Sequence, residues 1–396
     1  MNILIGNTQE FNPQIGGVEK VSSTLAHKFS EMGHTVLFIA CIKSIYSKPY
    51  TPVVEQIILP DEKCDSDLNK RLLISTCITR KIDIILNQAG NIIEFTRLCS
   101  FISKELQIPL ISEIHINPMN RISSIMDYKF SSINRYSYLK AIGRMLLMPL
   151  RFRSILKQEK ILYREVCNLS NKVVILSKEY LKELNFITGY NNFHKVVAIA
   201  NPHSSLLSVS RFRKEKVVLF VGRLDFDHKR PDRLISIWEK MYKDFPEWKL
   251  KLAGDGPYRQ QLEDYVQKKK IRNVDFLGFC DTSRQYAPAS ILCSTSTIEG
   301  LPMVLIEGIS FGCIPVSFDS YNSVYDIIED HKNGFIIKSY KLKDYEKKLR
   351  LLMNNSNLRE NMSNEAIESS HKFEIDTIAS QWNLLFRELT GRKKNG

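Results

Sequence analysis

The sequence predicts an α/β protein built from two doubly wound, Rossmann-like domains with parallel sheets. Three observations predict it. Short apolar runs alternate with helix-period segments along nearly the whole chain. Glycines such as Gly33, Gly222 and Gly312 punctuate the ends of those segments. A length of 396 residues suits two cores of ordinary size better than one. The boundaries read as 1–201 for the first domain, 202–215 for a linker, 216–373 for the second domain and 374–396 for a closing helix.

Asn2-Ile-Leu-Ile-Gly6 is the first strand, followed by a loop with Asn12, Pro13 and the pair Gly16-Gly17. A helix from Val18 to Met32 stops at Gly33, and Thr35–Ala40 is the second strand. This βαβ opening lacks G-x-G-x-x-G, which argues against a dinucleotide dehydrogenase. Further strands are expected at Val53–Leu59, Asp83–Leu86, Pro109–Glu113, Lys172–Leu176 and Lys195–Ala200. The run ending in Glu113-Ile-His115 matters most, because open α/β sheets hold ligands beyond the carboxyl ends of their strands. His115 is therefore a candidate site residue, and Glu113 is its unexplained neighbour.

From Tyr128 to Arg164 the composition turns basic, with Arg144, Arg151, Arg153, Lys157 and Lys160 among its cations and Glu159 as the single acid. Leucines, methionines and aromatics are interleaved with them. An ordinary solvated helix face is one reading, and contact with an anionic membrane surface is the other. Pro149 is expected to split the stretch into two helices.

After the polar linker the second domain repeats the alternation, with strands at Val217–Val221, Lys249–Ala253, Val274–Leu277, Ile291–Ser294, Ile314–Phe318 and Phe335–Ile337. Gly300 breaks the run after Ser294, and Pro302 sits where a helix starts. Such a junction presents free backbone N–H groups and a positive dipole end, a ready anion site. Glu299 at the strand's carboxyl end and Glu307 about two turns into the helix bracket it. Two carboxylates beside an anion site suit hydroxyl groups, so the pattern suggests a sugar carried on a phosphate. Arg223 and Lys229 leave the strand Val217–Val221 for the same edge. An arginine fork and a lysine point charge together would neutralise a diphosphate. Gly254 and Gly256 read as turn glycines only. The final amphipathic segment, Ile375–Leu389, carries Ile378, Trp382, Leu385 and Phe386 on one stripe.

Composition narrows the partners. A net charge of +13 calls for an anionic one: a nucleotide, a membrane surface or nucleic acid. Nucleic acid is set aside, because no helix-turn-helix, zinc-finger or RNP-type motif is present. Eight scattered cysteines without C-x-x-C read as reduced thiols of a cytoplasmic protein. No apolar run approaches the ~18 residues that span a bilayer, and the N-terminus does not read as a signal peptide.

Glu299-Gly-Leu-Pro-Met-Val-Leu-Ile-Glu307, followed by Gly-Ile-Ser-Phe-Gly-Cys-Ile-Pro-Val, closely resembles the donor-site signature of retaining glycosyltransferases of family 4, which have the GT-B fold. Gly16-Gly17-Val-Glu, the cleft histidine at 115 and the Arg223/Lys229 pair match the same family. The resemblance implies two domains facing across a cleft, with the last helix crossing back to cap the first. It implies transfer of a sugar from a nucleotide diphosphate sugar, with a UDP-sugar the expected donor. A glycan or lipid-linked acceptor in cell-surface polysaccharide synthesis is expected, as is peripheral attachment to the inner face of the cytoplasmic membrane. Arg223, Lys229 and the turn Gly300-Leu301-Pro302-Met303 would hold the diphosphate. Glu307 would hold the ribose, Glu299 and His115 the donor sugar, and Gly278-Phe279 the nucleobase edge through backbone. No cofactor or metal is expected, since no Asp-x-Asp pair is placed under the diphosphate. A soluble acceptor and a non-catalytic sugar-nucleotide-binding protein are the alternatives. Two departures stand out. Arg230 replaces a usual glycine, implying a stiffer loop or an added contact. Tyr321-Asn-Ser-Val replaces a common Gly-x-Pro-Glu, a change expected to touch none of these motifs.

Overall fold

A computed structural model describes residues 1–13, 16–43, 51–122, 138–189, 194–203 and 212–391, with the side chains of 138–147 left out. The chain divides into two units, Met1–Ser204 with Ile375–Gly396, and Ser205–Glu374.

The first unit holds seven parallel strands among its described residues: β1 (Asn2–Gln9), β2 (Thr35–Ile42), β3 (Gln56–Ile58), β4 (Ile84–Asn87), β5 (Leu110–Ile114), β6 (Lys172–Ile175) and β7 (Val196–Ala198). Their order is 3-2-1-4-5-6-7. Helices α1 (Gly17–Glu31), α2 (Asp67–Thr79), α3 (Ile93–Leu106), α4 (Tyr138–Leu169) and α5 (Tyr180–Thr188) connect them. Successive side chains of a strand point to opposite faces, so both faces of β1 are apolar: Ile3 and Ile5 join one core, Leu4 the other.

The second unit holds β8 (Glu215–Val221), β9 (Lys249–Ala253), β10 (Val274–Gly278), β11 (Ala289–Ser294), β12 (Ile314–Phe318) and β13 (Phe335–Ile337) in the order 10-9-8-11-12-13, again all parallel. Its helices are α6 (Pro231–Glu239), α7 (Arg259–Lys268), α8 (Ser283–Tyr286), α9 (Met303–Ser310), α10 (Val324–Ile327), α11 (Leu342–Asn354) and α12 (Ser356–Ser370). Trp238, Trp248 and Tyr345 fill the core of this unit. The last helix, α13 (Ile375–Thr390), belongs to the first unit. It lays Ile378, Trp382 and Phe386 into the core with α1, where the Phe29 and Phe386 rings stand edge to face at 5.3 Å.

Three expectations need correction. Pro149 lies inside one continuous α4 and does not split it. Proline removes one ladder bond, but the following turns are pinned by Tyr163, Val166 and Cys167 in the core. Strand β3 is an edge strand of Gln56–Ile58, shorter than Val53–Leu59 chiefly at its start. Pro302 is the N-cap of α9 and not its first helical residue, which leaves Glu307 little more than one turn in. Elsewhere strand ends move by up to three residues. The linker stretch 204–211 and residues 123–137 of the basic segment lie outside the described residues.

Arg230 occupies a backbone position that favours glycine. Its φ is +53°, in the left-handed region that glycine occupies without strain, and Pro231 follows at the start of α6. The guanidinium grips Asp232 with two bonds of 2.9 and 2.7 Å, which offsets part of the backbone cost. The departure adds a contact within its own loop.

Replacing Trp382, which is fully buried, with alanine should cost about 3–5 kcal/mol through transfer and cavity effects. Amide hydrogen exchange should show the loss in α1 and β1 while β8 and β11 keep their protection. Equal loss in β8 and β11 would contradict separate cores.

Candidate active site

In the second unit the strand order reverses between β8 and its neighbour β11. At such a switch point the loops after the two strands diverge and leave a crevice at their carboxyl ends. The loop after β8 carries Arg223 and Lys229, and the loop after β11 carries Glu299. Side chains stitch the two loops together. Thr295 Oγ1 donates to the Arg230 carbonyl at 2.8 Å, and Thr297 donates through its backbone to His228 at 2.7 Å. Buried Asp225 organises the first loop by accepting the backbone N–H groups of His228 and Lys229 at 2.7 and 2.9 Å. The result is that Lys229 Nζ stands 2.6 Å from Glu299 Oε1.

The same Glu299 oxygen accepts from Ser296 Oγ at 2.7 Å. Behind Ser296 lies a run of hydroxyls: Ser294 Oγ at 3.4 Å, the Tyr321 hydroxyl 3.2 Å from Ser294, and Ser317 Oγ 2.9 Å from Tyr321. Tyr321 was expected to touch none of the site motifs, yet it bonds Ser294 at the start of the stretch that leads to Glu299. It anchors the hydroxyl run that ends on Glu299, because the turn after β12 comes back under the loop after β11.

Glu307 Oε2 accepts from the buried Tyr286 hydroxyl at 3.2 Å. Gly308 fixes how close this helix lies to the sheet, since a side chain there would collide with Leu292 on β11. Leu301 is buried and Met303 half-buried, so the turn packs on the unit while Pro302 caps it with no side-chain hydrogen bond. The Gly300 carbonyl is held by Ser323 Oγ at 2.7 Å.

Arg223 is exposed at the start of its loop. Gly254 and Gly256 do more than turn the chain. A side chain on either would run into the carbonyl of Gly222 or Leu224, so both admit the close backbone approach that holds the Arg223 loop. Gly278 accepts from the Gly254 N–H at 2.8 Å, and Phe279 after it is 94% exposed.

In the first unit the order reverses between β1 and β4. Gly16 is the N-cap of α1 with Gly17 as its first residue, and the Glu19 carboxylate folds back toward Gly16. His115 follows β5, and its Nε2 lies 2.6 Å from Gln88 Oε1. Gln88 Nε2 in turn donates to Glu113 Oε2 at 2.9 Å. All three are deeply buried. Burial pushes the Glu113 carboxyl up to about 8 and the His115 imidazole down to about 4, since both charged forms lose hydration. Among the described residues, no group of three or more His, Cys, Asp or Glu is placed to hold a metal ion.

Asp225, Tyr286, Gln88, Gly308 and Tyr321 were not found from the sequence. Asp225 alone had a local signal, an aspartate that can accept from backbone N–H groups just ahead of it.

The description "glycosyl transferases group 1" matches residues 208–369. An uncharacterized glycosyltransferase of Haemophilus influenzae is 26% identical over 374 residues, 93% of this chain and 95% of that protein. A Campylobacter jejuni alpha-1,4-N-acetyl-D-galactosaminyltransferase is 37% identical over 182 residues, 46% of this chain, and the match spans half of that relative's length. Anabaena Alr3699/HepE, solved in complex with UDP, superposes with a TM-score of 0.75 at 16% identity over 98% of this chain and 100% of that one. The parallel-sheet units are those of the GT-B fold. Residues 208–369 are a glycosyl transferases group 1 domain, and the protein is a glycosyltransferase.

Proposed function

We propose that the protein transfers a sugar from a UDP-sugar, with retention at the anomeric carbon and without a metal ion, to a glycan or lipid-linked acceptor in cell-surface polysaccharide synthesis. The observation that carries this reading is the 2.6 Å Lys229–Glu299 pair at the β8/β11 switch point, one short turn before the N-terminus of α9. Cations, a helix N-terminus and carboxylates in one crevice suit a ligand that is anionic at one end and hydroxylated at the other.

Arg223, Lys229 and the first N–H groups of α9 take up the charge that grows on the diphosphate as the sugar's C–O bond breaks. Lys229 exchanges part of its contact with Glu299 for the phosphate. Glu307 accepts from the ribose hydroxyls and Glu299 from those of the donor sugar. The leaving phosphate oxygen receives the acceptor's proton on the face it vacates, which retains configuration without a protein nucleophile. His115, Gly16 and Gly17 lie at the carboxyl edge of their own sheet, and ligand contact is assigned there too. Gly278 and Phe279 are assigned to the nucleobase. The names of the relatives favour this reading: HepE binds UDP, and the Campylobacter enzyme acts on a PP-undecaprenol glycan.

Helix α4 supports a membrane-surface acceptor. Leu150, Arg153, Lys157 and Ile161 form an exposed stripe on it, with Leu150 64% and Ile161 57% exposed, while Tyr163 and Val166 face the core. Among the described residues no helix is long and apolar enough to cross a membrane.

A panel of UDP-, GDP- and ADP-sugars, assayed in excess EDTA with the product followed by proton NMR, tests the chemistry. UDP-sugar should turn over undiminished and give product with the donor's anomeric configuration. Inverted product, or activity restored only by Mg²⁺ or Mn²⁺, would overturn the route. For the membrane, charge reversal at Arg151, Arg153 and Lys157 should weaken binding to anionic liposomes by roughly 1 kcal/mol per charge. Affinity for UDP should stay unchanged. Equal binding of the wild type to neutral and anionic liposomes would reject this contact.

A further inference from the structure

We propose that Cys41 and Cys64 form a reversible modification site, at which a small-molecule disulfide of the glutathione type is reduced and a Cys41–Cys64 disulfide is made. The inference stands apart from the function proposed above, because it uses only thiols of the first unit.

The fold brings together two cysteines that the sequence keeps apart. Side chains alternate along β2, so Leu37, Ile39 and Cys41 line one face while Val36 and Phe38 line the other. β3 pairs with β2 as far as Ala40 and Ile58, and the chain then turns to enter α2. That helix packs Leu73 and Cys77 onto the face that carries Cys41. Cys64 lies in the turn, half-buried against the same core, and its thiol and that of Cys41 hydrogen-bond each other. Buried Asn69, in the first turn of α2, fixes the turn. Its oxygen accepts from the Asp61 N–H at 3.2 Å, and its amide donates to the carbonyls of Asp61, Lys63 and Cys64 at 2.7, 3.0 and 3.2 Å. Cys64 is therefore held beside Cys41 by its backbone as well as by its sulfur.

The two thiols have different surroundings, which assigns them different parts. The bond to Cys64 and burial at 2% exposure both raise the Cys41 thiol, so it keeps its proton. That S–H, donated to Cys64, holds the Cys64 thiol below its usual range, against burial and the charges of Glu94 and Asp65. Cys64 is the thiolate that meets solvent, and Cys41 is the resolving thiol behind it. Cys77 and Cys99 share this core and are inert there, since burial pushes Cys77 up to about 12 and raises Cys99 as well.

The exchange balances in two steps. The Cys64 thiolate attacks one sulfur of oxidised glutathione, forming a mixed disulfide and releasing one glutathione thiolate, which takes up a proton. Cys41 then loses its proton and attacks the Cys64 sulfur, forming the internal disulfide and releasing the second glutathione as a thiol. Two electrons pass from the protein thiols to the glutathione disulfide. In a reducing pool the exchange runs backwards, and the pair rests as the two free thiols of this structure.

Peptide mapping of the whole native chain without reductant tests this, because lysines and arginines part Cys41, Cys64, Cys77 and Cys99 onto separate tryptic peptides. The reduced protein is treated with oxidised glutathione, and the remaining thiols are then blocked with an alkylating agent. We expect the Cys41 and Cys64 peptides to be joined, and dithiothreitol to part them again. Cys77 and Cys99 should be alkylated only after denaturation. In Cys41→Ser, glutathione should stay on Cys64, and in Cys64→Ser, Cys41 should stay unmodified. A wild-type Cys64 that remains a free thiol in the native protein overturns the site without needing any variant to fold. Glutathione that persists on wild-type Cys64, or a bridge from Cys64 to Cys77 or Cys99, overturns the part given to Cys41.

Discussion

The ion pair between Lys229 and Glu299 joins two loops that the sequence separates by 70 residues, and the geometry of the candidate site in the second unit depends on it. Both side chains are largely buried, at 23% and 12% exposure, and they meet at 2.6 Å. Removing one would leave the other desolvated and unpaired, which costs far more than a surface bridge is worth. The surrounding residues serve that geometry. Asp225 shapes the lysine loop from below, Thr295 and Thr297 tie it to the glutamate loop, and Ser296 holds the carboxylate from behind. Gly254 and Gly256 let the neighbouring backbone press against Gly222 and Leu224. The crevice is a consequence of the 10-9-8-11-12-13 strand order, which makes these two loops neighbours.

The two units share one plan and carry different chemistry. Each sheet reverses its order once; the second gathers polar residues after β8 and β11 beside its reversal, and the first gathers them at the ends of β4 and the adjoining β5. The second unit has cations and a helix N-terminus there, which suits phosphate. The first has His115, Gln88 and Glu113, buried and held by hydrogen bonds, which suits hydroxyl groups. Low dielectric explains the division. A buried imidazole whose pKa falls to about 4 stays neutral under ordinary conditions and cannot attract an anion, whereas Lys229 pairs with the Glu299 carboxylate.

The sheet strands were legible because a buried parallel strand must be a short apolar run, and positive-φ glycines such as Gly33, Gly278 and Gly312 mark the ends. Arg223, Lys229, Glu299 and Glu307 stood out as candidates because each sits at a fixed offset from such a strand or helix. The residues behind them were not, since they act through partners far along the chain. Tyr321 reaches Ser294 across 27 residues, and Tyr286 reaches Glu307 across 21. No periodicity encodes such a meeting. It follows only from which strands are neighbours. Pro149 misled for the opposite reason: its local effect is genuine, and tertiary packing further along α4 outweighs it.

Calorimetric affinity for UDP in the presence of EDTA, compared between the wild type, Lys229→Met and Glu307→Ala, tests the donor site most directly. The proposed function assigns both side chains to UDP itself, so each substitution should weaken binding by about 1–3 kcal/mol, ~5–150-fold. Unchanged affinity in Lys229→Met would contradict the account, because no diphosphate could then occupy the crevice that the ion pair builds.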